Sequence, residues 1–119
     1  MQRNWDVVRK ILIKLEELGT TTSFLHQDQV NGYDPELVAY HMQLLGEADL
    51  IKANCHITTA GLLECAAHRM TWKGHEFLDH IRQDTVWNQV KRTAREKGID
   101  LSIDVIVNIA KTYISSMLE

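Results

Sequence analysis

The sequence of 119 residues predicts a mainly helical domain carrying one small β-hairpin, and three observations lead to it. A single proline and six glycines leave long stretches without a breaker. Apolar residues recur along those stretches every three to four positions, the spacing of one helix face. Between two such stretches, Leu50-Ile51-Lys52-Ala53-Asn54-Cys55 is followed by Thr58-Thr59-Ala60-Gly61 and a second extended run at about 63–70, the pattern of two strands and a tip.

The first helix is expected over about 5–18, where Trp5, Val8, Leu12, Leu15 and Leu18 share a face, Asn4 can cap the start and Gly19 can end it. Residues 20–34 combine Thr20-Thr21-Thr22-Ser23 with Asn31-Gly32 and read as a structured loop with a short extended piece near Phe24-Leu25. Asp34-Pro35-Glu36 supplies a cap, a proline at the first helical position and an acid at the positive end of the dipole, so a second helix starts at Pro35. Its stripe of Leu37, Tyr40, His41, Leu44, Leu45 and Ala48 points one wide face inward, with His41 inside it. After the hairpin, Thr71 can cap a helix carrying Trp72, Phe77, Leu78 and Ile81, with a kink or restart near Asp84-Thr85. The continuation carries Val86, Val90 and Ala94 and stops at Gly98. Ser102 caps the last helix, whose many apolar residues from Ile103 to Leu118 suggest burial on more than one side.

Helix, loop, helix and hairpin in this order match a winged-helix domain whose second helix is shortened or lost. The chain then reads as a single domain over 1–119, a winged-helix-like core at 1–83 and a C-terminal helical extension at 84–119. Four segments carry a closer resemblance. They are Arg3-Asn4-Trp5-Asp6 running to Leu12; Gly32-Tyr33-Asp34 with Val38-Ala39-Tyr40-His41; Thr71-Trp72-Lys73-Gly74-His75-Glu76-Phe77-Leu78-Asp79 with His80-Ile81-Arg82; and Asp84-Thr85-Val86-Trp87 with Val90-Lys91. Together they resemble a family of small bacterial and prophage-borne proteins classed as a domain of unknown function. The resemblance implies a winged-helix-like fold and at most a regulatory or nucleic-acid role, with no catalytic residues to carry over.

Composition narrows the chemistry. The apolar share of 45% and charged share of 24% are those of a globular chain. No apolar run is long enough for a membrane span and no leader-like segment opens the chain, so a cytoplasmic protein is expected. Cys55 and Cys65 lack metal or redox spacing and are expected to be reduced.

A DNA reader needs cations opposite the phosphates. Residues 1–50 hold four basic against eight acidic side chains, and from Pro35 to Ala48 the only formal charges are Glu36 and Glu47. Lys91, Arg92, Arg95 and Lys97 form the one basic cluster, a candidate nucleic-acid contact or simply a solvated helix end whose cations suit the dipole. The six histidines show no His-Glu-x-x-His pattern, so no metal is expected, and a structural polar cluster of His41, His75 and Asp79 is the better reading. Trp5, Trp72 and Trp87 are expected to pack. No nucleophile with a base, paired carboxylates or phosphate loop is present, so a non-catalytic protein without cofactor is expected. The partners expected are a second copy of the chain, through the surplus apolar residues Val105, Ile109 and Leu118, and DNA or another protein.

Overall fold

The computed structural model describes residues 1–118 and is mainly helical, with one three-stranded antiparallel sheet. It divides into two compact units, Met1–His75 and Glu76–Glu119.

The first unit begins with α1 (Trp5–Glu16), held at its start by the Asn4 side chain, which accepts from the N–H groups of Asp6 at 3.0 Å and Val7 at 3.4 Å. That cap satisfies two of the four amides a helix leaves unpaired. The loop after it contains β1 (Leu25–His26) and a 3-10 turn (Gln27–Gln29). Helix α2 (Pro35–Glu47) starts where proline and its cap require it, with Asp34 accepting from Glu36 N–H at 2.9 Å. The hairpin is β2 (Ile51–Ile57) and β3 (Leu63–Met70), closed at its tip by Thr58 N–H to Leu62 O at 2.8 Å and Gly61 N–H to Thr58 O at 2.9 Å.

The strand order is β1-β3-β2, so β3 lies in the middle and β2 forms an open edge. Two-residue β1 is too short to show alternation in the sequence. Its hold on β3 is lengthened by Gln27, whose buried amide donates to Leu63 O at 3.2 Å and accepts from Cys65 N–H at 2.7 Å. Lys52 opposes Arg69 and Ala53 opposes Ala67, which leaves His68 as an extra residue bulging from β3. Val7, Val8, Ile11, Leu12 and Leu15 of α1, Val38, Ala39, Met42 and Leu45 of α2, and Ile51, Ala67 and Met70 of the sheet form the core of this unit. Each such aliphatic side chain larger than alanine contributes about 1.5–3 kcal/mol by leaving water.

Helix α3 (Trp72–Ile81) starts against the joint between α2 and β2. Thr71 fixes it there: its N–H donates to Leu50 O at 2.9 Å, its hydroxyl donates to Asp49 O at 2.6 Å, and the same oxygen accepts from Gly74 N–H at 3.1 Å. A Cβ at Gly74 would strike the Leu50 carbonyl oxygen and approach its carbon to 3.0 Å, so only glycine fits this crossing. Thr71, Gly74, Phe77, Leu78 and Ile81 make the buried stripe of α3. Trp72 falls off that stripe and is 80% exposed, which corrects the expectation that it packs.

In the second unit α4 (Asp84–Lys97) packs on α5 (Ile103–Leu118). The restart expected near Asp84-Thr85 occurs at Asp84, with Gln83 as the cap residue and no side-chain capping bond. Gly98 ends α4 in the left-handed conformation at φ 63°, and Ser102 Oγ accepts from Val105 N–H at 3.2 Å to start α5. Among the described residues no helix is long and apolar enough to cross a membrane.

Candidate functional site

The surface that α2 and the hairpin present is the most distinctive in the first unit. Glu36, Gln43 and Glu47 are exposed on α2 with Tyr40 half-buried beside them, and no cation joins them on that helix. Beyond α2 the hairpin carries Ile57 and Leu62 at its tip, 64% and 58% exposed, where burial would ordinarily hide such side chains. Between α2 and β2 lies an open cavity of about 320 Å³, lined by Met42, Gln43, Glu47, Lys52, Ala53 and Cys55 among others.

Cys55 and Cys65 stand directly opposite each other on β2 and β3, with Cα atoms 4.2 Å apart, and are joined as a disulfide. This corrects the expectation that both are reduced. The signal was present in the hairpin: its tip centres on Ala60, and the two cysteines are equidistant from it. Neighbouring antiparallel strands bring such residues together whatever their spacing in the sequence.

The polar cluster of His41, His75 and Asp79 does not assemble, a second correction. His41 is fully buried, but its partners are backbone groups: Nε2 accepts from Asn4 N–H at 2.8 Å, and Nδ1 donates to Leu37 O at 2.8 Å. The imidazole therefore ties the start of α1 to the first turn of α2 in its Nδ1–H tautomer. His75 and Asp79 are exposed. His75 lines a cleft of about 330 Å³ with His68, Arg69, Thr20 and Thr21, and Asp79 pairs with Arg82 at 2.7 Å.

A different histidine group has no signature in the sequence, because strand pairing assembles it. His26 Nδ1 lies 2.9 Å from Asp28, its Nε2 lies 3.3 Å from one Glu64 oxygen, and His56 Nε2 lies 3.8 Å from the other. The Asp28 hydrogen bond raises the His26 pKa most; burial works against it and Glu64 adds to it. Among the described residues, no group of three or more His, Cys, Asp or Glu side chains is placed to hold a metal ion.

In the second unit the basic cluster divides. Arg92 and Arg95 are exposed on the outward side of α4, with half-buried Lys91 on the flank, its ammonium 5.7 Å from the centre of the buried Trp87 ring. Lys97 turns elsewhere, lining a cavity of about 350 Å³ between α4 and α5 with Gln89, Thr93, Asn108 and Tyr113. The residues expected to form a dimer interface divide as well. Helix α5 buries Ile106 and Ala110. At about 100° per residue, Val105 and Ile109 lie on one flank of that buried line, whereas Leu118 shares the opposite flank with Val107 and Ile114. Ile109 lines the α4–α5 cavity, while Ile114 and Leu118 are 36% and 83% exposed. The three residues thus form no single patch.

Residues 2–100 match the family described as "Hypothetical protein (DUF2513)". An uncharacterised protein of Haemophilus influenzae is 46% identical over 118 residues, covering 99% of each chain. No solved structure matches.

Proposed function

The chain belongs to the DUF2513 family, and we propose that it is a non-catalytic regulatory module of winged-helix type, working in the cytoplasm by binding a protein partner through α2 and the hairpin. The winged-helix reading is supported by topology. α1, β1, the 3-10 turn, α2, β2 and β3 follow one another, and the sheet order is β1-β3-β2, with the 3-10 turn standing where a fuller second helix would lie. The observation that carries the partner reading is the α2 surface itself. A helix reading DNA places its outward residues among phosphates, and here those residues are Glu36, Tyr40, Gln43 and Glu47, while the hairpin tip carries exposed Ile57 and Leu62. Protein interfaces favour such a mixture of exposed apolar residues with a polar rim.

The test pairs two assays on the full chain. Ile57→Asp with Leu62→Asp should abolish capture of a specific partner from extracts of the native host, while wild type shows no duplex DNA binding at physiological salt. DNA binding lost on changing Gln43 or the α4 cations would overturn the reading.

One observation favours a second reading, a weak DNA-binding regulator: Lys91, Arg92 and Arg95 occupy neighbouring positions on α4. Binding would then be strongly salt-dependent and reduced by alanine at those three positions more than by Gln43→Ala. In either case we propose a homodimer through the Val107, Ile114 and Leu118 flank of α5. Light scattering should give twice 13.7 kDa, falling to the monomer mass in Ile114→Glu.

A further inference from the structure

We propose that the Cys55–Cys65 disulfide is a thiol-exchange site, opened by a low-molecular-weight thiol that attacks Cys55 and leaves it S-thiolated. Which sulfur can be reached, and from which direction, decides where the thiol attacks.

Thiol–disulfide exchange is an in-line displacement: the incoming thiolate approaches one sulfur from the side opposite its partner. The bond here runs between neighbouring strands, from the middle strand β3 to the edge strand β2. A line from Cys65 through Cys55 therefore leaves the sheet across its open edge. The same line taken the other way runs under β3 towards β1 and the buried side chain of Gln27. Burial agrees with direction. Cys65 is 1% exposed, whereas Cys55 is half-buried and lines the open cavity between α2 and β2, whose volume of about 320 Å³ admits a thiol-bearing side chain. Lys52 and Glu47 line the same cavity with opposite charges, so access rather than net charge selects the sulfur.

Cys65 is thereby the leaving group. Its Sγ lies 3.3 Å from Ala39 O, an acceptor already in place for the S–H that forms. In the first step the thiolate RS⁻ bonds to Cys55 Sγ and the Cys55–Cys65 bond breaks. The electron pair goes to Cys65, which takes up the proton that RSH gave up. A second RSH attacking the mixed disulfide releases RSSR and leaves two thiols; two electrons pass from the small thiols to the protein. The hairpin does not depend on the bond for its closure. Its pairing runs from Ile51 and Met70 to Ile57 and Leu63, and Thr58 Oγ1 accepts from Leu62 N–H at 3.1 Å at the tip. Exchange can therefore proceed in the folded chain.

The test uses the full chain, oxidised with glutathione disulfide and then exposed to reduced glutathione at neutral pH. Samples are quenched in acid, alkylated and cleaved after Glu64, which separates the two cysteines. The expected result is one glutathione on the Cys55 fragment and an alkylated Cys65, at a rate proportional to thiol concentration. In single variants treated with glutathione disulfide, Cys65→Ser should be thiolated at least ten-fold faster than Cys55→Ser. Glutathione on Cys65, a rate independent of thiol concentration and so set by unfolding, or failure of the chain to form the bond would each overturn the proposal. The wild-type adduct map decides even if a variant fails to fold.

Discussion

Replacing Gly74 by alanine sets two effects of opposite sign against each other, and the structure decides between them. In a solvent-facing helix the change favours folding by about 1 kcal/mol, because alanine loses less backbone freedom than glycine. Gly74 instead faces the Leu50 carbonyl, and a methyl there overlaps the oxygen while approaching Met70 Cβ to 3.3 Å. Relief requires the first turn of α3 to retreat by roughly an ångström, which is the overpacking case and costs about 1–3 kcal/mol. The retreat also stretches Thr71 N–H to Leu50 O at 2.9 Å and the Thr71 hydroxyl to Asp49 O at 2.6 Å, hydrogen bonds contributing about 1 kcal/mol each. After the alanine gain is subtracted, the net loss is about 2–4 kcal/mol, or roughly 6–16 °C in Tm for a chain of this size. Gly46 in α2 is the control, since a Cβ there meets nothing within 4 Å. Gly46→Ala should therefore raise stability by up to about 1 kcal/mol. Urea unfolding followed by circular dichroism measures both variants. Gly74→Ala as stable as wild type would show that the close approach at Leu50 does not constrain the fold.

Three further outcomes are expected. His41→Ala should lose on the order of 1–3 kcal/mol, because it strands the buried side of the Asn4 N–H and Leu37 carbonyl; a change within about 0.5 kcal/mol would refute that. His26 should titrate by NMR above the usual histidine range, and Asp28→Asn should bring its midpoint down; an unmoved midpoint removes Asp28 as the cause. Because its folded pKa is raised, the stabilising contribution of His26 is complete below the ordinary histidine value. It is lost as pH rises through the raised one, so the tie between β1 and β3 should weaken as pH rises past that point and in high salt.

Helix boundaries were legible because they depend on neighbours in sequence. Asn4, Asp34, Thr71, Ser102 and Gly98 each act within a few residues of themselves, and all five stand at the helix ends where their chemistry places them. The burial of His41 follows from its place in the α2 stripe, but its partner does not. Nothing local says that the start of α1 will lie against it, and a carboxylate on α3 looked equally suitable. Trp72 shows the same limit from the other side. Its size argued for packing, yet Thr71 and Gly74 turn towards Asp49 and Leu50, and the helix then carries Trp72 away from the core.

The stretch from Thr71 to Asp79 is one of the four segments that carry the resemblance, and its parts have unequal physical reasons. Thr71 and Gly74 are fixed by the crossing at Leu50, and Phe77 and Leu78 by burial. Packing accounts for none of Trp72, His75, Glu76 or Asp79, all of them exposed. Exposed residues gain little from a particular identity in folding alone, since surface changes usually alter stability by no more than about 0.5 kcal/mol. The exposed indole is the sharpest instance, because an aromatic left in water gives up the burial that makes it worth carrying. We propose that the partner's contact extends to Trp72 and supplies that burial, since the residues that dominate interface energies are enriched in tryptophan. Trp72→Ala should then leave thermal stability nearly unchanged while weakening capture of the partner at least ten-fold; an equal loss of stability would make the residue part of the fold after all.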